Sequence, residues 1–163
     1  MERATKQIRT IHTQFKATRA EEGEDLYIEG CFAVFNQETE LWPGAYEEIA
    51  PAAFSETLGN DIRALTNHDT TLVLGRNKAG TLELKEDSYG LWGRIKINRD
   101  DTDAMNTYAR VKRGDVDQCS FGFNILEEKT DWREDGTVKW TIQKVDLHEV
   151  SVCTFPAYEE TGV

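Results

Sequence analysis

Residues 114–123, Gly-Asp-Val-Asp-Gln-Cys-Ser-Phe-Gly-Phe, restrict the fold more than any other stretch of the chain. A charged turn runs into a segment in which Cys119, Phe121 and Phe123 alternate with Ser120 and Gly122. Period-two alternation belongs to a β-strand, whose successive side chains leave on opposite faces. One face, carrying two phenylalanines, has to be packed against a second layer of structure. The other face carries a hydroxyl beside a glycine, and Gly122 is expected to leave open space next to it. This chain is therefore expected to place Ser120 on a rigid strand, at a position open to a substrate.

The remaining pattern is mostly short strands. Residues 26–35 form the strongest early one, with Gly30 a bulge or a point of close approach. Residues 6–16 carry Ile8, Ile11 and Phe15 at a spacing that suits a strand or a short helix, with a strand preferred. Residues 36–44 read as a loop. Residues 62–68 read as a strand delivering His68 to its end, and 75–80 as a turn. Strands at 81–85 and 91–97 are joined by a turn, and strands at 118–127, 137–145 and 147–155 complete the chain. Two helices are expected. Residues 51–58 begin with Pro51 and stop near Gly59. Residues 100–111 have acidic residues at the positive end, with Arg110, Lys112, Arg113 and the stop Gly114 at the other. No repeat or linker divides the chain, so residues 1–163 are expected to form one domain. The class is α+β, mainly β: a barrel or sandwich with peripheral helices.

Composition excludes several functions. A net charge of −11 disfavours binding to a nucleic-acid backbone. No apolar run approaches the roughly 20 residues that span a bilayer, and no apolar core of a signal peptide follows the N-terminus. An intracellular site without membrane contact is expected. Cys31, Cys119 and Cys153 form no Cys-x-x-Cys pair, which argues against disulfides and structural zinc. Asp100, Asp101 and Asp103 suit a helix N-terminus better than a calcium loop, and residues 75–80 lack the ending of a phosphate loop. Neither a metal nor an organic cofactor is expected.

Three histidines limit the search for chemistry. His12 reads as a solvated or half-buried residue. Serine-based acyl transfer needs a hydroxyl, a base to take its proton, and a group that orients the base. Ser120, His68 and either Glu149 or His148 can supply these from three strands. Asp69 is a poor third member, since a continuing strand would aim it away from His68. For an oxyanion, a backbone N–H near Ser120 is the economical donor, with Arg110 or Arg113 as alternatives.

Short words in fixed order carry a resemblance. They are Glu29-Gly30-Cys31-Phe32-Ala33-Val34-Phe35-Asn36, Glu48-Ile49-Ala50-Pro51-Ala52-Ala53-Phe54, Asn67-His68-Asp69 and Leu74-Gly75-Arg76. Ala79-Gly80-Thr81-Leu82-Glu83-Leu84, Glu86-Asp87, Gly90-Leu91, Ser120-Phe121-Gly122-Phe123, Glu149-Val150-Ser151-Val152 and Phe155-Pro156-Ala157-Tyr158 follow. Over about residues 26–160 the chain resembles the prohead maturation proteases of tailed bacteriophages, which are related to herpesvirus capsid-maturation proteases.

The resemblance implies a herpesvirus-protease-like β-barrel surrounded by helices. It implies a serine endopeptidase that trims the scaffolding part of the major capsid protein, and itself, inside the immature capsid in the host cytoplasm; the alternative is a catalytically inactive relative acting as a capsid-assembly or scaffold-binding protein. Self-association is a further implied partner interaction. His68 would be the base, Ser120 the nucleophile and Glu149 the third member. The herpesvirus relatives use a histidine in the third place, which favours His148. The phage pattern and the polar side shared with Ser151 favour Glu149, which is the choice made. The family usually has glycine where Ala52 stands. The chain ends soon after the last matching word, and a longer precursor cut near Val163 by the enzyme itself is expected.

Overall fold

The computed structural model describes residues 3–12, 16–19 and 25–154. Its described strands are β1 (Gln7–His12), β2 (Lys16–Arg19), β3 (Leu26–Val34), β4 (Thr39–Trp42), β5 (Ala45–Ile49) and β6 (Arg63–Thr66). They continue with β7 (Asp69–Arg76), β8 (Leu82–Glu86), β9 (Gly90–Lys96), β10 (Gln118–Trp132) and β11 (Val138–Cys153). The helix α1 (Thr102–Arg113) separates β9 from β10.

Two sheets form. The larger runs β1-β10-β11-β5-β4, with β6 pairing the far half of β11 and β7 pairing β6; the smaller runs β2-β3-β9-β8. No closed barrel is found among the described residues, so the fold is a mainly β arrangement of two sheets with one α-helix. Its centre is the long antiparallel hairpin of β10 and β11, which pairs Gln118 with Cys153 at one end and Trp132 with Val138 at the other. The free edge of β11 takes two parallel neighbours, β5 along residues 138–142 and β6 along 149–152.

The alternation in β10 fixes which face is the core. Phe121 and Phe123 are fully buried and stack at 4.9 Å, and Phe54 meets the Phe121 ring edge-on at 5.7 Å. Val150 and Val152 of β11 and Ile28, Phe32, Leu91 and Ile95 of the smaller sheet belong to the same cluster. Full burial of each such side chain contributes about 1.5–3 kcal/mol. Ser120 and Gly122, which alternate with Cys119 and the phenylalanines, face the other way and lie on the polar side.

α1 follows its sequence signals. The Asp101 side chain accepts the Asp103 N–H as N-cap, and Gly114 closes the helix in the left-handed conformation at φ 91°. The helix expected over 51–58 does not form. The segment is a run of turns closed by Ala53 N–H to Ala50 O, Ser55 N–H to Ala52 O and Thr57 N–H to Phe54 O. Ala52 has φ 69°, which interrupts a helix, and tertiary bonds hold the chain instead: Phe54 N–H to Glu86 Oε1 and Thr57 Oγ1 to Val145 O, both at 2.8 Å. The left-handed φ accounts for the glycine that the resemblance implies at this position. Ala52→Gly is expected to raise unfolding stability by about 0.5–1 kcal/mol, relief of backbone strain exceeding the added unfolded-state entropy. An unchanged or lower denaturation midpoint contradicts that account.

The loop expected at 36–44 contains β4, and an unexpected strand, β7, follows His68 and runs into the turn expected at 75–80, which residues 77–80 make with Gly80 at φ 74°. Each was missed because a short edge strand needs only one paired side. β4 is anchored by the contact of Trp42 with Trp140 at 5.7 Å.

Candidate active site

His68 lies in a tight turn. Thr66 of β6 pairs with Asp69 of β7, so the loop between them is the two residues Asn67 and His68, at φ 52° and 58°. Positive φ at both central positions is the type I′ turn that matches the twist of a hairpin. The turn is tied to β11: Asn67 N–H donates to Val152 O at 2.9 Å, and His68 N–H donates to Ser151 Oγ at 3.1 Å. The expected strand thus ends two residues early, and the turn presents the imidazole to the polar face.

There it meets Glu149. His68 Nδ1 is hydrogen-bonded to Glu149 Oε1, and Ser151 Oγ donates to the other carboxylate oxygen at 2.8 Å. Glu149 is only 6% exposed. An ionised carboxylate only accepts, so beside one a neutral imidazole carries its proton on Nδ1 and keeps the lone pair on Nε2. His68 Nε2 is buried and has no hydrogen-bond partner.

Ser120 stands beside these groups in the ladder. It pairs with Ser151, and Gly122 pairs with Glu149, so the four residues share one face of the hairpin. Ser120 is fully buried. Its hydroxyl donates to Arg9 O at 2.8 Å, and Thr10 Oγ1 donates to Ser120 Oγ at 3.3 Å. β1 runs antiparallel along β10 with Thr10 opposite Ser120. The structure therefore brings His68 and Glu149 into contact, while the Ser120 hydroxyl is bonded to the backbone of β1.

Gly122 has a different role from the open space expected of it. A Cβ at this position would lie 2.7 Å from Glu149 Oε1 and 3.0 Å from Lys6 Cε. The missing side chain is where the carboxylate sits while it holds His68. Gly122→Ala should keep the fold and push the Glu149 carboxylate off the imidazole. If the contact of His68 with Glu149 serves catalysis, any activity that depends on it should fall by about 10²-fold or more, as small displacements of a catalytic constellation do. A variant cleaving at the parent rate would show that the carboxylate has another place to go.

His148 does not join the site. Gly122 pairs with Glu149 but Phe123 pairs with Leu147, so His148 is the extra residue of a bulge. The bulge turns its ring outward, where Nε2 meets Asn124 Oδ1 at 2.5 Å. Asp69 Oδ1 accepts two bonds from Thr71 in its own strand, from the backbone N–H at 2.9 Å and from Oγ1 at 2.6 Å. Cys119 faces the core, and burial pushes its thiol well above the ordinary range, so it is no alternative nucleophile. Arg110 is exposed, and Arg113 is engaged with Asp115 at 2.7 Å. His12 pairs through its backbone with Gln118. Among the described residues, no group of three or more His, Cys, Asp or Glu side chains could hold a metal ion, and no helix is long and apolar enough to cross a membrane.

Two participants were missed from the sequence. Ser151 links the His68 backbone to the Glu149 carboxylate; its signal was the Glu-x-Ser spacing, which puts both side chains on one strand face. β1 was expected as a strand, but only the three-dimensional pairing lays it against Ser120.

With this geometry in hand, the class can be stated. The chain belongs to the caudovirus prohead serine proteases, whose family model matches residues 13–163. It is 31% identical over 146 residues to the prohead protease of Enterobacteria phage HK97, across 87% of this chain and 60% of that protein. The chain thus spans less than two thirds of that relative's length. Its fold is similar to that of the bacteriophage T4 capsid assembly protease, with a TM-score of 0.55, 12% identity, and coverage of 91% of this chain and 96% of that one.

Proposed function

We propose that the chain is a serine endopeptidase of capsid maturation, with Ser120 as nucleophile, His68 as general base and Glu149 as the group that orients the base. The observation that carries this reading is the position of β1: an extended segment lies on the edge of β10 with a peptide carbonyl, that of Arg9, against the Ser120 hydroxyl. β1 thus stands where a substrate strand would, and its backbone supplies the pairing by which sheet edges take up extended peptides.

Rotation of the hydroxyl away from Arg9 O lets Ser120 Oγ attack the carbonyl carbon while its proton passes to His68 Nε2. Glu149 accepts the Nδ1–H bond throughout and stabilises the imidazolium. Collapse of the tetrahedral intermediate breaks the C–N bond, and the imidazolium gives its proton to the departing amine. Water then attacks the Ser120 ester, passing a proton to His68 that returns to the serine as the acid is released. A backbone N–H near Ser120 remains the donor proposed for the oxyanion. With β1 in place the enzyme is restrained, and self-cleavage of the Arg9–Thr10 bond would release it.

The substrates proposed are the scaffolding part of the major capsid protein and the chain itself, within a prohead in the host cytoplasm, in a single domain that also self-associates. The proposed fold is a variant of the herpesvirus-protease-like β-barrel with peripheral helices, a reading that rests on the family resemblance. A fluorophosphonate should label the full chain at Ser120, mapped by mass spectrometry, and His68→Ala should abolish the adduct. A label elsewhere, or equal labelling without His68, defeats the assignment.

A further inference from the structure

We propose that Glu47 is the specificity-determining residue of the subsite for the side chain on the acyl side of the cleaved bond, and that it selects arginine or lysine. The proposal rests on Ser120 being the nucleophile and on β1 lying as a substrate does.

Arg9 owns the carbonyl that faces Ser120, so in that register it occupies the acyl-side position. Its guanidinium forms a two-pronged pair with Glu47 of β5: Nε donates to Oε1 at 2.5 Å and Nη2 to Oε2 at 2.8 Å. The Glu47 side chain is only 5% exposed. The surroundings fit the rest of an arginine: the guanidinium lies 5.6 Å over the Phe123 ring, and a cavity of about 60 Å³ beside Arg9 is lined by Val34, Ile49 and Phe121 as well as Glu47. A long aliphatic stem with a terminal cation suits apolar walls that end in a carboxylate.

Charge balance gives the selectivity. The two cations described on Glu47 are Arg9 and Arg3, whose Nη1 lies 2.9 Å from Oε2, and both belong to the N-terminal segment. When that segment leaves, a nearly buried carboxylate loses these counter-ions. An unpaired buried charge is strongly unfavourable, so the emptied subsite favours another cation and repels an acid. Glutamine would leave the carboxylate unpaired. Lysine restores the charge without the two-pronged geometry and should rank below arginine. A carboxylate that served only to clasp β1 would show no such preference for a separate substrate.

The test supplies that side chain in trans. Peptides of residues 3–14 of this chain, with Arg, Lys, Gln or Glu at position 9, are incubated with the full-length protein, and products are read by mass and rate. β1 competes equally with every peptide, so rate ratios survive its presence. Cleavage after position 9 should rank Arg above Lys, with Gln and Glu slower by about 10²-fold or more in kcat/KM. In Glu47→Gln the ratio of Arg to Gln should collapse to within about tenfold, and Glu47→Lys should prefer the Glu peptide. The parent series alone decides if either variant fails to fold. Equal rates across the series, cleavage at another bond, or no cleavage by a protein whose Ser120 still takes the fluorophosphonate would each overturn the Glu47 proposal and leave the protease reading standing. No cleavage together with no label on Ser120 overturns both.

Discussion

On the proposed reading, Ser120→Ala yields a folded chain whose cleavage of the capsid protein falls by about 10⁴–10⁶-fold, the usual cost of losing a member of a catalytic triad. Only one oxygen is removed from a buried position that already faces the small neighbours Gly122 and Ser151. The fold should persist because Phe121 and Phe123, which anchor β10, lie on the opposite face. Co-expression with the capsid protein, followed by the size of that protein over time, measures the effect. Cleavage at the parent rate by the alanine variant would assign the reaction to another residue. The same variant should also retain its residues 1–9, whereas the parent chain loses them if the Arg9–Thr10 bond is cut.

Glu149→Gln and His148→Ala should differ sharply despite their adjacency. An amide at 149 can present N–H to His68 Nδ1, stabilising the tautomer with the proton on Nε2, where a lone pair is needed. Loss of the carboxylate also leaves the imidazolium without its counter-charge. Rates should fall by about 10⁴-fold with the shape kept, as in other triads. His148→Ala removes a bond to Asn124 on the outside of a bulge and should cost about 1 kcal/mol of stability with cleavage little changed. Kinetics and thermal unfolding of the two variants, side by side, test this. A near-normal Glu149→Gln with a folded but inactive His148→Ala would reverse the roles.

The alternation of residues 119–123 made β10, its core face and its polar face legible without coordinates. The capping signals of α1 were equally plain, because the Asp101 cap and the Gly114 stop act within the helix itself. The roles proposed for Ser120, His68 and Glu149 rest on a family pattern, and of the two adjacent residues it is Glu149 that touches His68. The reason is only half the one that alternation suggested. The bulge at His148 breaks the strict period, and it is visible only in the pairing of Phe123 with Leu147. The turns at 51–58 were hidden for a similar cause. Pro51 and the neighbouring alanines favour a helix locally, while Glu86 and Val145, distant in sequence, bind the segment otherwise. Glu47 carried no local signal at all, since its meaning depends on a guanidinium 38 residues away.

The tether on β1 turns latency into a matter of concentration. Three residues, 13–15, separate the end of β1 from the start of β2. A segment held on so short a leash competes for the edge of β10 at an effective concentration on the order of millimolar. A free chain in dilute solution, meeting the same edge with similar backbone bonds, reaches it only in the small fraction of molecules that β1 has left, so it is cut slowly, at rates that still depend on its sequence. A shell packed with copies of a scaffold reaches comparable concentrations, and there the contest becomes even. A cut at Arg9–Thr10 would then tip it for good, since residues 1–9, which carry Arg9, are no longer joined to the chain. On the proposed reading, this architecture makes a high local concentration of substrate sufficient to start cleavage.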